Sequence, residues 1–255
     1  MQQESRRQFL KAGLILSVGC WVERHNTALA AERNGGEASP DHVANEAERV
    51  IQSARHTKYQ HKAYIDEATG TYYVDCSDYA SYVLGRVAKR HLDMIPRESW
   101  WPVPRAYKYY DYFQSLPVAS GGWRKIEQVM QVRRGDIIAW KSSGPVQKDH
   151  DTGHVFVVAD TPSAVDLQTF AVRAYDSSNL KHYDDSRVQQ NDMMHDGVGI
   201  GTIHFQIDAN GRPKAFQFGP GDHFHEYPIA IGRVETIRQS TADAFKAPVH
   251  QMTLS

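Results

Sequence analysis

Three residues far apart in the chain carry the chemistry this sequence is equipped for: Cys76, His154 and Asp176. Cys76 stands in Val74-Asp75-Cys76-Ser77-Asp78-Tyr79-Ala80, which reads as a turn running straight into a helix. Asp75 is a good helix N-cap, and Asp78, three residues on, is placed to reach back to the free amides. Cys76 then falls in the first turn, where unpaired N–H groups and the helix dipole favour an anion. That setting is expected to lower a thiol pKa from about 8.5 toward roughly 4–7, which makes a nucleophile. The plain alternative is a buried structural cysteine.

A thiol nucleophile needs a base within hydrogen-bond reach, and the base needs a third polar group to orient it. His154 opens the apolar run Gly153-His154-Val155-Phe156-Val157-Val158, and Asp176 closes the next one, Phe170 to Tyr175. In an antiparallel pair the start of one strand lies beside the end of its neighbour, so these two residues can meet. Each has an ordinary reading too. His154 suits a satisfied core histidine, and Asp176-Ser177-Ser178-Asn179 is a string of turn formers.

The elements that must position these groups follow from spacing. Ser39-Pro40 opens a helix with the stripe Val43, Ala47, Val50, Ile51 and Ala54. The stretch from Tyr64 to Tyr73 is an extended, turn-containing approach to the cysteine helix, whose buried face is Tyr79 or Ala80, Val83 and Val87. A rigid loop with Trp100-Trp101 among Pro96, Pro102 and Pro104 comes next, then Tyr107, Tyr110 and Phe113 at helical spacing. That cluster suits core packing, or the floor of a substrate groove. Residues 137–140, 152–159, 169–177, 198–207 and 227–234 read as strands. Helices first and strands afterwards indicate an α+β domain over residues 39–240, its N-terminal helices packed on a mainly antiparallel sheet. Asp184-Asp185-Ser186-Arg187 and Gly197-Val198-Gly199-Ile200-Gly201 are distinctive strings with no evident chemistry, readable as a substrate-facing loop or as a salt-bridged turn.

The N-terminus bears on Cys76. Ser5-Arg6-Arg7-Gln8-Phe9-Leu10-Lys11, an apolar run through Trp21 and Ala28-Leu29-Ala30 have the order of a twin-arginine export signal with an A-x-A cleavage site. Residues 1–30 are therefore expected to be removed, 31–38 to form a flexible leader and 241–255 a loose tail. Processing at Cys20 as a lipoprotein is a lesser alternative. Export by the twin-arginine machinery, in folded form, to the periplasm or medium leaves Cys76 as the sole cysteine, so no internal disulfide is possible. The chain has a net charge of −1 and is 41 % hydrophobic, with no basic cluster of the kind nucleic acid requires and no second apolar run of membrane length.

With these residues in view, the chain resembles the NlpC family of bacterial cell-wall cysteine peptidases, which have a papain-like core. The likeness rests on Asp75-Cys76-Ser77 opening a helix, Arg134-Gly135-Asp136 before an apolar strand and Gly153-His154-Val155 beginning another, in the family's order over roughly residues 60–180. It implies Cys76 as nucleophile, His154 as general base, Tyr64 as a holder of the reacting carbonyl, and Asp75 and Ser77 as lining of the substrate pocket. It also implies a peptidoglycan stem peptide or small peptide as substrate and no metal or other cofactor. Three features depart from the family. Asp78 replaces a usual glycine, the gap from Cys76 to His154 is longer, and the third residue is Asp176, with Asn179 as a rival, where a second histidine is common. Two other classes fit parts of the sequence. One is a cell-wall binding module that keeps the papain-like shape without catalysis. The other is an exported metal-binding protein using His223-Phe224-His225-Glu226, although Ile229 stands where an H-E-x-x-H motif needs its second histidine. No G-x-S-x-G marks a serine hydrolase.

Overall fold

The computed structural model describes residues 37–117, 121–147, 150–187 and 196–237. The export signal and the C-terminal tail expected from the sequence lie outside the described residues, as does the leader up to residue 36.

Ser39 caps the first helix, its hydroxyl oxygen accepting from the His42 N–H at 3.3 Å, and Pro40 follows at a position that has no use for an N–H. This helix, α1 (Pro40–Ser53), buries Val43, Ala47 and Val50. Three short strands come next: β1 (His56–Lys58), β2 (Tyr64–Asp66) and β3 (Thr71–Tyr73). They form a small sheet in the order β1-β3-β2, with β1 parallel and β2 antiparallel to β3. From β3 the chain passes directly into α2 (Cys76–Val87), then the single turn α3 (Lys89–Leu92) and α4 (Ala106–Ser115).

The remaining strands are β4 (Trp123–Ile126), β5 (Ile137–Lys141), β6 (Gly153–Val158), β7 (Ser163–Ala164), β8 (Thr169–Ser178), β9 (Gly197–Ile207), β10 (Pro213–Gln217) and β11 (Ile229–Val234). They pair antiparallel in the order β10-β9-β8-β6-β5-β11-β4, with β7 beside β8. The protein is thus an α+β domain with a mostly antiparallel sheet. Alternation along β5 and β6 divides the core in two. Ile137, Ala139, Val155 and Val157 meet the helices, while Ile138, Trp140, Phe156 and Val158 face the other way. That second face is covered by the sheet itself, which curls until Phe216 of β10 stacks on Trp140 of β5 with ring centroids 3.8 Å apart.

Asp136, in the Arg134-Gly135-Asp136 motif, is fully buried at the start of β5, and both its oxygens lie 2.7 Å from the guanidinium of Arg233 in β11. His154 pairs with Trp140 near the opposite end of β5. The motif therefore bonds two strands of the sheet together at a distance from His154. Among the described residues no helix is long and apolar enough to cross a membrane.

Candidate active site

Asp75 caps α2 as its sequence predicts. Its Oδ1 accepts from the Asp78 N–H and from the Ser77 hydroxyl, both at 2.8 Å, and its Oδ2 lies 3.1 Å from His61 Nδ1. Cys76 is therefore the first residue of the helix. Two contacts hold that helix end against the sheet. The Ser177 hydroxyl, next to Asp176 in β8, donates to the Val74 carbonyl at 2.7 Å. The backbone N–H of Val155, next to His154 in β6, faces the Cys76 sulfur closely enough to favour its thiolate. The sequence neighbours of His154 and Asp176 thus both touch the segment that carries the thiol. Gly153 makes the entry into β6 possible. Its φ is +124° and a Cβ there would collide with the Trp140 carbonyl oxygen, so only glycine fits this turn.

His154 Nε2 lies 2.8 Å from Asp176 Oδ2, and Asp176 has no exposure to solvent. The same oxygen receives His182 Nε2 at 2.9 Å, and the other receives Arg187 Nη1 at 2.9 Å. Burial raises the Asp176 pKa, but Arg187, His182 and His154 together outweigh it and hold the carboxyl well below its ordinary range. An ionised carboxylate only accepts, so both histidines donate through Nε2. The neutral His154 ring then has its acceptor lone pair at Nδ1, the tautomer a general base requires.

The two strings without evident chemistry build this arrangement. Arg187 Nε reaches Asp185 Oδ1 at 2.8 Å, and the Asp185 carboxylate also accepts from the backbone N–H groups of His182 and Arg187, each at 2.9 Å. Gly199 lies opposite Asp176 in the β8–β9 register, and a Cβ on it would sit 2.7 Å from Arg187 Cγ. A Cβ on Gly201 would sit 2.5 Å from His182 Cβ. The glycines leave the space that the buried arginine and second histidine fill. Sequence reasoning missed His182, Asp185 and Arg187 as site residues; the unusual Gly-x-Gly-x-Gly string beside an acidic-basic one was the available signal.

Other expectations change. Cys76 is 4 % exposed, and burial first, then the charges of Asp75 and Asp151, push its thiol well above the ordinary range, against the lowering effect of the Val155 N–H. Desolvation and carboxylates therefore overcome the helix N-terminus, and the resting group is a protonated thiol. Tyr64 stands on β2 with 55 % of its surface exposed and its ring against Tyr73. Two tyrosines feel the charge of Cys76: Tyr109 of α4, whose hydroxyl is bonded to Ser81, and Tyr59, just after β1, whose hydroxyl is pushed up by burial and then by Cys76, Asp75, Asp151 and Asp176. Ser77 is buried, and its hydroxyl is committed to Asp75. Asp75 retains a link toward solvent through Oδ2 and the half-exposed His61. Asn179 has no part in the Asp176 network.

The Trp-Pro loop adjoins the entry to β6. Arg105 lies over Trp100 and Trp101, 5.7 and 5.1 Å from their centroids, and donates to the carbonyls of Gln147 and His150. Beside it opens a polar cavity of about 100 Å³ whose lining includes Tyr107, Lys141, His150 and Asp151. Tyr109 and Phe113 are core, whereas Trp100 is exposed. His154, Asp176 and His182 are close enough to share a cation, but Arg187 already balances the single carboxylate there and opposes a metal ion. Comparison with protein-family models, with curated proteins and with solved structures found no match to this chain.

Proposed function

We propose that this protein is an exported cysteine amidohydrolase of papain-like design that cleaves amide bonds in peptidoglycan stem peptides. The observation that carries the reading is the 2.8 Å bond from His154 Nε2 to a buried, ionised Asp176, two residues whose strand neighbours Val155 and Ser177 meet the helix end that carries the thiol. As the substrate carbonyl approaches Cys76, His154 Nδ1 takes the thiol proton and the sulfur forms a bond to the carbonyl carbon. The proton passes from His154 to the leaving amine as the C–N bond breaks. Water, deprotonated by the same histidine, then releases the acid and restores the thiol. The backbone N–H of Cys76 and the Tyr59 hydroxyl are the donors available to the developing oxyanion. Because the resting thiol is protonated, nucleophile and base are activated together when substrate excludes water, rather than standing as a preformed ion pair. The Trp-Pro loop and its Arg105 tether bound the approach to β6 and are positioned to select substrates.

A second reading, a binding module without catalysis, is favoured by one observation, the burial of Cys76 and its raised pKa. Incubating the protein and its Cys76→Ala variant with isolated peptidoglycan separates the two. Fragments from the unaltered protein alone support the hydrolase. Equal binding by both forms with no fragments supports the module.

A further inference from the structure

We propose that the loop between β10 and β11 is a binding site for a divalent transition-metal ion, with Asp222, His223 and His225 as its ligands. The site uses none of the residues assigned to the chemistry above and does not depend on that reading. One ligand atom from each residue lies within 4.8 Å of the other two. His225 Nε2 is 3.0 Å, and His223 Nδ1 3.6 Å, from the same Asp222 oxygen, Oδ1. Ligand bonds of 2.0–2.1 Å at tetrahedral angles put neighbouring donor atoms about 3.3 Å apart, and the two separations bracket that value.

Two of the three ligands are held in advance. The Asp222 carboxylate accepts from the N–H groups of Phe218 at 3.0 Å and His223 at 2.8 Å, and its backbone carbonyl from Gln217 Nε2 at 2.7 Å. His225 is fixed by paired backbone bonds with Phe216 and stacks its ring on that residue. His223 is 80 % exposed in its side chain, with its ring centroid 4.1 Å from that of His225, so a small rotation brings it into the shell at little cost. The proton that now bridges His225 Nε2 and Asp222 is what the ion would replace. Two imidazoles and one carboxylate, with the remaining positions left to water, suit zinc, copper, nickel or cobalt rather than calcium or magnesium, which prefer all-oxygen shells. Phe218, which donates to Asp222, also packs its ring 5.6 Å from His154 and 5.3 Å from His182, so the ion would fasten the loop that backs those histidines.

The test is a calorimetric titration of zinc(II) into the purified protein carrying Cys76→Ala, which removes the thiol as a competing ligand. We expect one equivalent bound with micromolar Kd, weakened about tenfold or more by Asp222→Asn and by the exposed His223→Ala. Cobalt(II) absorption in the visible should report nitrogen ligation that His223→Ala alters. Absence of binding would overturn the proposal, as would an affinity that His223→Ala leaves unchanged. Binding that falls instead with His154→Asn would place the ion in the buried histidine cluster and overturn it equally.

Discussion

Asp176 is fully buried and receives two histidines and an arginine on its two oxygens. Replacing it with asparagine keeps the shape, but it takes away the charge that fixes His154 as a donor and leaves Arg187 buried without its principal counter-charge. Asp176→Asn should therefore lower kcat by at least about 10²-fold. It should also cost about 1–3 kcal/mol in urea-melt stability, since Arg187 loses one of its two buried carboxylate partners and keeps Asp185. The Cys76 thiol gives a second prediction at this scale. A pKa raised above its ordinary range keeps the group protonated through neutral pH, so alkylation by iodoacetamide should be slow at pH 6–8 and climb about tenfold per pH unit beyond that. A rate flat from pH 5 upward would mean a preformed thiolate. Cys76 and His154 stand out in the sequence because each lies at the start of an element, whereas Asp176 lies inside β8, two residues before its end, and is reached through the antiparallel pairing. The acidity of the thiol cannot be read there, because the carboxylates of Asp151 and Asp176 reach Cys76 only through the tertiary fold.

At the scale of the element, α2 carries an internal cost. Asp78 sits in its first turn with Oδ2 buried and unpartnered, and burial, then the neighbouring Asp75, push its carboxyl up to about 7. The same group in the unfolded chain titrates near about 3.9. The folded protein therefore holds this proton more tightly, and Asp78 weakens the fold as pH rises from about 4 to about 7, by at most about 1.4 kcal/mol per pH unit. Asp78→Asn should remove that slope and raise stability at pH 7.5 by about 1–3 kcal/mol, read from urea melts at several pH values. A melt unchanged across the series would contradict the assignment. Helices α1, α2 and α4 were legible from their caps and apolar spacing, as were the longer strands β5, β6, β8, β9 and β11. Strand β4 was not, because only Trp123 and Ile126 of its residues are buried. Strand β10 begins on a proline, and a register shift between Pro213 and Ala215 breaks the alternation that would have announced it.

For the molecule as a whole, the sheet's curl decides whether the site is closed from behind. The alternating pattern of β5 and β6 indicates two buried faces, but it contains no information on which partner covers the second. Here the cover is the far edge of the same sheet, through Phe216 on Trp140, and Trp140 in turn lies 5.0 Å from the His154 ring. Trp140→Ala should open that core, cost about 3–5 kcal/mol and loosen His154, so that activity falls before the protein unfolds. Temperature scans of activity and of circular dichroism, run side by side, would show the two losses apart. The most direct measurement is the intact mass of the protein quenched in acid during incubation with soluble peptidoglycan stem peptides. A thiol hydrolase predicts an adduct on Cys76 equal to the carbonyl-side fragment, the amine-side fragment free in solution, and neither with Cys76→Ala. Peptides left whole, with no adduct on either protein, would contradict it.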